Sequence, residues 1–145
     1  MPAYRIVLDT NVLVSGLLSE QGTPGRIFDL LLSGDLLLLH DPRILAEYSE
    51  VIGRPELAID RGHGREILRF LAESGESIDA PPWPRALPDP DDEPFLAVAH
   101  AGNSLALVTG NPRHYPAAVR GGVRIWSPRE LVDWLRQATP QAEGP

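Results

Sequence analysis

The chain has 145 residues, 43% of them hydrophobic, and a formal net charge of −7, which suits one ordinary domain with a real core. It has no cysteine, which excludes disulfides and thiolate metal sites, and its acidity argues against a general nucleic-acid coat, which needs clustered cations. Every cationic residue except histidine is arginine, so a lysine-dependent phosphate loop and Schiff-base catalysis are excluded as well.

Residues 4–9 read as a short buried strand, with Ile6, Val7 and Leu8 stopped by Asp9. Asn11 to Leu18 is expected to be helical. Thr23-Pro24 reads as the cap and first turn of a second helix, with Ile27, Leu30 and Leu31 at helical spacing and Gly34 closing it. Leu36 to Leu39 is a second strand, and Asp41-Pro42 opens a third helix carrying Ile44, Leu45, Tyr48, Val51 and Ile52. A fourth helix is expected from about Arg61 to Ser74. The stretch "APPWPRALPDPDDEP" at 80–94 is too rich in proline and aspartate for regular structure. Beyond it, Phe95 to Ala101 reads as helix and Leu105 to Val108 as strand. Gly121-Gly122 turns into a strand from Val123 to Trp126, and Ser127-Pro128 caps a last helix to about Arg136. One domain is expected over 1–137, with 138–145 as a disordered tail.

Short apolar strands alternating with helices predict an α/β fold: a three-layer α/β/α sandwich around a mostly parallel sheet covered on both faces. Ligands of such sheets sit beyond the carboxyl ends of the strands, near a topological switch point. Asp9 lies at such an end. It could simply cap the following helix. A carboxylate on a central strand is expensive to bury unless something pairs with it, however. With no base nearby in sequence, a metal ion is the economical partner. Glu47 falls close to the apolar stripe of the third helix, although a solvated surface acid is the more usual fate of a helical glutamate. Asp89, Asp91, Asp92 and Glu93 crowd the start of a helix, where the dipole favours acids; four in five positions exceed what a cap requires, and a cation would relieve their repulsion. Thr109-Gly110-Asn111 ends a later strand much as Asp9-Thr10-Asn11 ends the first, and Asn111-Pro112 also reads as an ordinary turn.

Taken in order, these segments resemble the PIN-domain nucleases. "IVLDTNVLVSGLL" is similar to the family's opening motif, "DPRILAEYSEVIGRPEL" to the helix that supplies its glutamate, and "DPDDEPFLAVA" to its aspartate-bearing segment. "LVTGNPRHYP" resembles the segment of its last acid, and "VRIWSPRELVDWL" its closing strand, cap and helix. The toxin components of bacterial toxin–antitoxin systems are the branch it resembles most.

The resemblance implies a Mg²⁺- or Mn²⁺-dependent endoribonuclease in which Asp9, Glu47 and Asp92 hold the metal and Asn111 stands at the fourth catalytic position. There many members carry aspartate, so the departure to an uncharged amide implies one tightly bound ion rather than two. Thr10, Asn11, Asp89, Thr109 and Arg113 are implied as substrate-positioning or outer residues, with His114 and Arg120 as further contacts to the RNA backbone. The products would carry 5′-phosphate and 3′-hydroxyl ends. The implied partners are RNA and an antitoxin protein whose segment covers the acidic site, and a homodimer is compatible with this reading. No apolar run reaches the roughly 20 residues of a membrane helix and no signal peptide is expected, so a soluble cytoplasmic protein without membrane contact is the expectation.

Two other readings fit parts of the sequence. A phosphatase or receiver-type domain with an aspartate nucleophile would need a second aspartate where Asn11 stands and a lysine that the chain lacks. The serious alternative is a catalytically weakened PIN-like module that binds RNA or a protein without cutting, favoured by Asn111 and by the net acidity.

Overall fold

The structure is a computed structural model that describes residues 3–138; most of the expected tail, 139–145, lies outside the described residues. Five strands form one sheet: β1 (Tyr4–Leu8), β2 (Leu36–His40), β3 (Glu76–Ser77), β4 (Ala106–Val108) and β5 (Ile125–Trp126). Their order is β3-β2-β1-β4-β5, and every neighbouring pair is parallel. Six helices cover them: α1 (Thr10–Leu18), α2 (Thr23–Ser33), α3 (Pro42–Ile52), α4 (Arg61–Ser74), α5 (Glu93–Ala101) and α6 (Pro128–Ala138).

A strand buried on both faces has no polar side to show, which is why Ile6, Val7 and Leu8 run consecutively and are each at most 1% exposed. α3, α4 and α5 pack together over β1 and β2, while α2 and α6 pack against each other and the sheet. α1 bridges α2 and α3, completing the α/β/α sandwich. The chain leaves β1 for β2 on one side and returns to β4 on the other, so the switch point falls between β1 and β4. Leu8 is in register with Val108 there, and the Asp9 amide continues the ladder to the Val108 carbonyl at 2.9 Å. Asp9 and Thr109 therefore leave the sheet side by side.

The α1–α2 hairpin closes backbone against backbone. A Cβ on Gly16 would lie 2.8 Å from the Pro24 carbonyl oxygen, and one on Gly25 only 2.5 Å from that of Glu20. This contact also moves the expected helix start. Gly22 rather than Thr23 is the cap, with Thr23 already helical and Pro24 in the first turn, where its missing N–H leaves no bond unmade. Other boundaries differ from expectation as well: α5 begins at Glu93, inside the stretch expected to be irregular, because Pro94 fits the first turn of a helix. β3 was not expected, because Glu76 and Ser77 are exposed and carry no apolar signal. β5 begins at Ile125, since the amide of Val123 is still bonded back to Arg120 across the Gly121-Gly122 turn. α6 continues to Ala138, through the position expected to start the tail; its start is a reciprocal capping box, with the Ser127 amide donating to Glu130 and the Glu130 amide to Ser127 Oγ.

One interior bond fixes α3 against the strand that carries Asp9. Tyr48 is fully buried beside Phe95, and its hydroxyl donates to the Leu8 carbonyl at 2.6 Å. A Tyr48→Phe substitution keeps the ring and strands that carbonyl, so it should destabilise the fold by about 1–2 kcal/mol. A urea titration should show a lower midpoint at unchanged slope.

Candidate active site

Asp9 ends β1 and caps α1, and its carboxylate is only 5% exposed. Burial there is tolerated because three donors from separate parts of the chain satisfy it. The Thr10 amide donates to Oδ1 at 2.9 Å, Thr109 Oγ1 donates to Oδ2 at 2.8 Å, and the Tyr115 hydroxyl reaches Oδ2 at 3.3 Å. Thr109 is itself fixed by the Asn111 amide, which donates to its Oγ1 at 3.0 Å. Burial, then the neighbouring Asp9 charge, push the Tyr115 hydroxyl far above its usual range, so it stays a donor.

Two further acids face Asp9. Glu47 on α3 accepts the Thr10 hydroxyl, and burial, opposed by that bond, holds its carboxyl above the usual range; the charges of Asp9, Asp91 and Asp89 add to the rise. Asp92 is 7% exposed, directly before α5. Its Oδ2 lies 3.0 Å from His114 Nδ1, yet that contact lacks hydrogen-bond alignment, which leaves the oxygen buried without a donor. Burial and then the Asp9 charge push the Asp92 carboxyl up to about 6, while His114 works the other way. Asp89 stays outside as the cap of the 90–92 turn, accepting the Asp91 amide at 3.0 Å.

Together these residues line a cleft of about 520 Å³ that, among the described residues, holds seven carboxylates against only Arg54 and His114. Arg54 is already paired with Glu50 at 2.9 Å. Of the expected site residues, the cleft gathers Asp9, Thr10, Asn11, Glu47, Asp89 and Asp92. Thr109 stands behind Asp9 as a fully buried donor. The Asn111 and Arg113 side chains are exposed and do not line the cleft; Asn111 contributes its backbone amide instead. Arg120 is turned inward, donating to the Tyr115 carbonyl at 2.6 Å.

A family model described as PIN domain matches residues 5–113. The chain belongs to the PIN domain family. This PIN domain is 32% identical over 110 residues to the uncharacterized protein MJ1680 of Methanocaldococcus jannaschii, a match spanning 74% of this chain and 70% of that one. Three solved structures share its fold at low identity. PAE2754 from Pyrobaculum aerophilum is 17% identical with a TM-score of 0.58, covering 94% of each chain. FitAB bound to an IR36 DNA fragment is 19% identical with a TM-score of 0.57, covering 85% of this chain and 94% of that one. FitAcB from Neisseria gonorrhoeae is 19% identical with a TM-score of 0.54, covering 86% and 98%.

The donor set of the cleft fits a hard, hydrated cation. All the candidate ligands are oxygens, and the orphaned Asp92 Oδ2 is a buried acceptor in want of positive charge. Among the described residues no three His, Asp or Glu side chains form a ready-made cage. Magnesium does not require one, because it usually keeps several waters and takes one or two carboxylates.

Tyr115, Tyr48 and Arg54 carry no signal in the sequence that marks them as site residues. Tyr115 was visible only as a tyrosine two residues beyond Arg113 in "PRHYP", and nothing local says that a side chain there reaches back to residue 9.

The Asp92 carboxyl gives a pH-dependent signature. Its unfolded value is near 3.9 and its folded value about 6, so between these the folded chain holds a proton that the unfolded chain has released. This group therefore favours the fold at about pH 4, and the contribution is lost as pH rises through about 6. Asp92→Asn should stabilise the protein by about 1–3 kcal/mol at pH 7.5 and change little at pH 4, as read from paired urea titrations in EDTA.

Proposed function

We propose that this PIN domain is a divalent-metal-dependent endoribonuclease of the cytoplasm, the toxin of a toxin–antitoxin pair, with Asp9, Glu47 and Asp92 as its metal-holding carboxylates. The observation that carries the reading is the opposition of two buried carboxylates across one cleft: Asp9 clamped by three donors, and Asp92 with an oxygen that, among the described residues, has His114 3.0 Å away but no aligned hydrogen-bond donor. Mg²⁺ or Mn²⁺ held there would supply an acidified water and offset the charge of a phosphodiester.

The chain's own groups would do the rest. Thr10, Thr109 and Tyr115 fix the rotamer of Asp9 and keep it from swinging onto the substrate. The Thr10 hydroxyl aligns Glu47, whose raised carboxyl suits it to accept the proton that the attacking water gives up. The water oxygen would bond to phosphorus as its proton passes to Glu47, the bond to the 3′ oxygen would break, and a solvent water would protonate that leaving oxygen, its hydroxide being neutralised by the proton that Glu47 then gives up. Asn11 at the rim and the outer acid Asp89 would set the approach of the strand, with Arg113 as an exposed contact to the RNA backbone.

An antitoxin partner fits the charge of the cleft, because a segment offering arginine would meet seven carboxylates. FitAB is bound to DNA in the structure that resembles this one. A chain of net charge −7 would reach DNA only through a more basic partner. The exposed side chain of Asn111 favours a second reading, a domain that binds RNA or protein without cutting, since the position where many relatives carry an acid adds nothing to the cleft.

The test is cleavage of labelled single-stranded RNA with Mg²⁺ or Mn²⁺. Activity should vanish with EDTA and with Asp9→Asn, and Thr109→Val should lower it by about 10–100-fold through loss of the clamp. RNA binding without cleavage at any metal concentration, unchanged by Asp9→Asn, would establish the non-cutting module instead.

A further inference from the structure

α5 begins beside Asp92 and ends at the opposite edge of the sheet. There its last turn lines two adjoining cavities of about 330 and 320 Å³ that meet at His100 and Gly121. They share no residue with the acidic cleft. The first is apolar, walled by Pro81, Trp83, Pro84 and Ala97. The second lies before the amino ends of β4 and β5 and is polar, lined by Asn103, Ser104, Gly122 and Arg124. Among the described residues neither has a carboxylate in its wall, although acids outnumber arginines 20 to 13 in the chain, and each carries one arginine, Arg85 or Arg124.

The polar cavity holds groups that wait for an acceptor. Ser104 Oγ is buried without a hydrogen-bond partner among the described residues. Gly121 and Gly122 take consecutive left-handed conformations, at φ 61° and 83°, and neither amide donates a backbone hydrogen bond among the described residues. Successive free amides in such a turn form a concavity suited to an anion. Arg124 forms no ion pair among the described residues, and its guanidinium lies 6.0 Å from the Trp126 ring. In the apolar cavity, Trp83 is held by its indole N–H donating to the Val119 carbonyl at 3.0 Å and stands edge-on to His100. A Cβ on Gly121 would come within 2.7 Å of the Trp83 ring, so the glycine is what lets the indole lie this close to the turn between the two cavities.

We propose that these joined cavities bind a nucleoside monophosphate, its base against Trp83 and the prolines and its phosphate on Ser104 Oγ, the Gly121 and Gly122 amides and Arg124. An apolar compartment beside a few convergent donors is the usual composition of such sites. The same chemistry is offered by a free nucleotide and by one nucleotide of an RNA strand.

Calorimetric titration of AMP and of inorganic phosphate into the full chain in EDTA tests this, beside Ser104→Ala, Arg124→Ala and Asp9→Asn. AMP should saturate with Kd between about 10 μM and 1 mM. Ser104→Ala and Arg124→Ala should each weaken it by about tenfold or more, and Asp9→Asn should leave it unchanged. Ser104→Ala removes a hydroxyl that bonds to nothing, so its unfolding midpoint should match the parent's and loss of binding cannot be blamed on the fold. No saturable AMP binding, binding indifferent to both substitutions, binding lost in Asp9→Asn, or phosphate binding as tightly as AMP would each overturn the proposal. Because Asp9→Asn separates this site from the cleft, a failed cleavage assay leaves the outcome here untouched. A second arm distinguishes the sources: competition between AMP and labelled RNA, with RNA binding weakened by Arg124→Ala, identifies a strand subsite, and indifference of RNA identifies a free nucleotide.

Discussion

A buried carboxylate at the end of a central strand is a problem that the surrounding chain has to solve, and much of this fold is arranged around the solution at Asp9. The carboxylate collects donors from three segments: the first amide of α1, the hydroxyl that ends β4, and a tyrosine beyond the loop after it. Each of those segments is held in place for other reasons. β1 and β4 are neighbours in register, α1 is capped by Asp9 itself, and Tyr115 is wholly buried. The clamp is thus a consequence of parallel pairing at the switch point, where two strands release their chains side by side. Across the cleft, Asp92 has no such provision, and its raised carboxyl records the difference.

α5 separates two environments of opposite character along nine residues. Its first turn stands among acids, and its last turn stands among arginine, histidine and unpaired donors. Helix polarity supports both arrangements: the dipole favours the acids at its start and the histidine and arginines at its end. A protein with a formal charge of −7 has therefore not spread that charge evenly. It has gathered seven acids around the cleft at the carboxyl ends of the strands, while the described walls of the two cavities before β4 and β5 contain none.

Most of the fold was legible because its signals are local. The apolar run of β1, the Asp41-Pro42 start of α3 and the Ser127-Pro128 start of α6 all carry their own chemistry, and each element formed where expected. β3 was illegible for the complementary reason: two polar residues pair only because β2 has an edge to offer. In the site, Asp9 was legible from the conflict between its charge and its strand, and Asp92 from the crowding of acids around it. Glu47 was ambiguous on its helix, and what turns it toward the cleft is a contact with Thr10, 37 residues away. Tyr115 and Tyr48 were illegible as site residues because their contacts span 106 and 40 residues, distances over which spacing carries no information. Asn111 was read as a side chain where the structure uses only its main chain.

That last difference has a consequence for how the position can vary. The relay from residue 111 to Thr109 to Asp9 begins at a peptide N–H, which every amino acid but proline provides. Whether a carboxylate, an amide or a methyl group follows is invisible to the relay. The loop can therefore exchange its outward-facing chemistry while the strand-end geometry stays fixed, so that drift at this position and preservation of Asp9 are structurally independent.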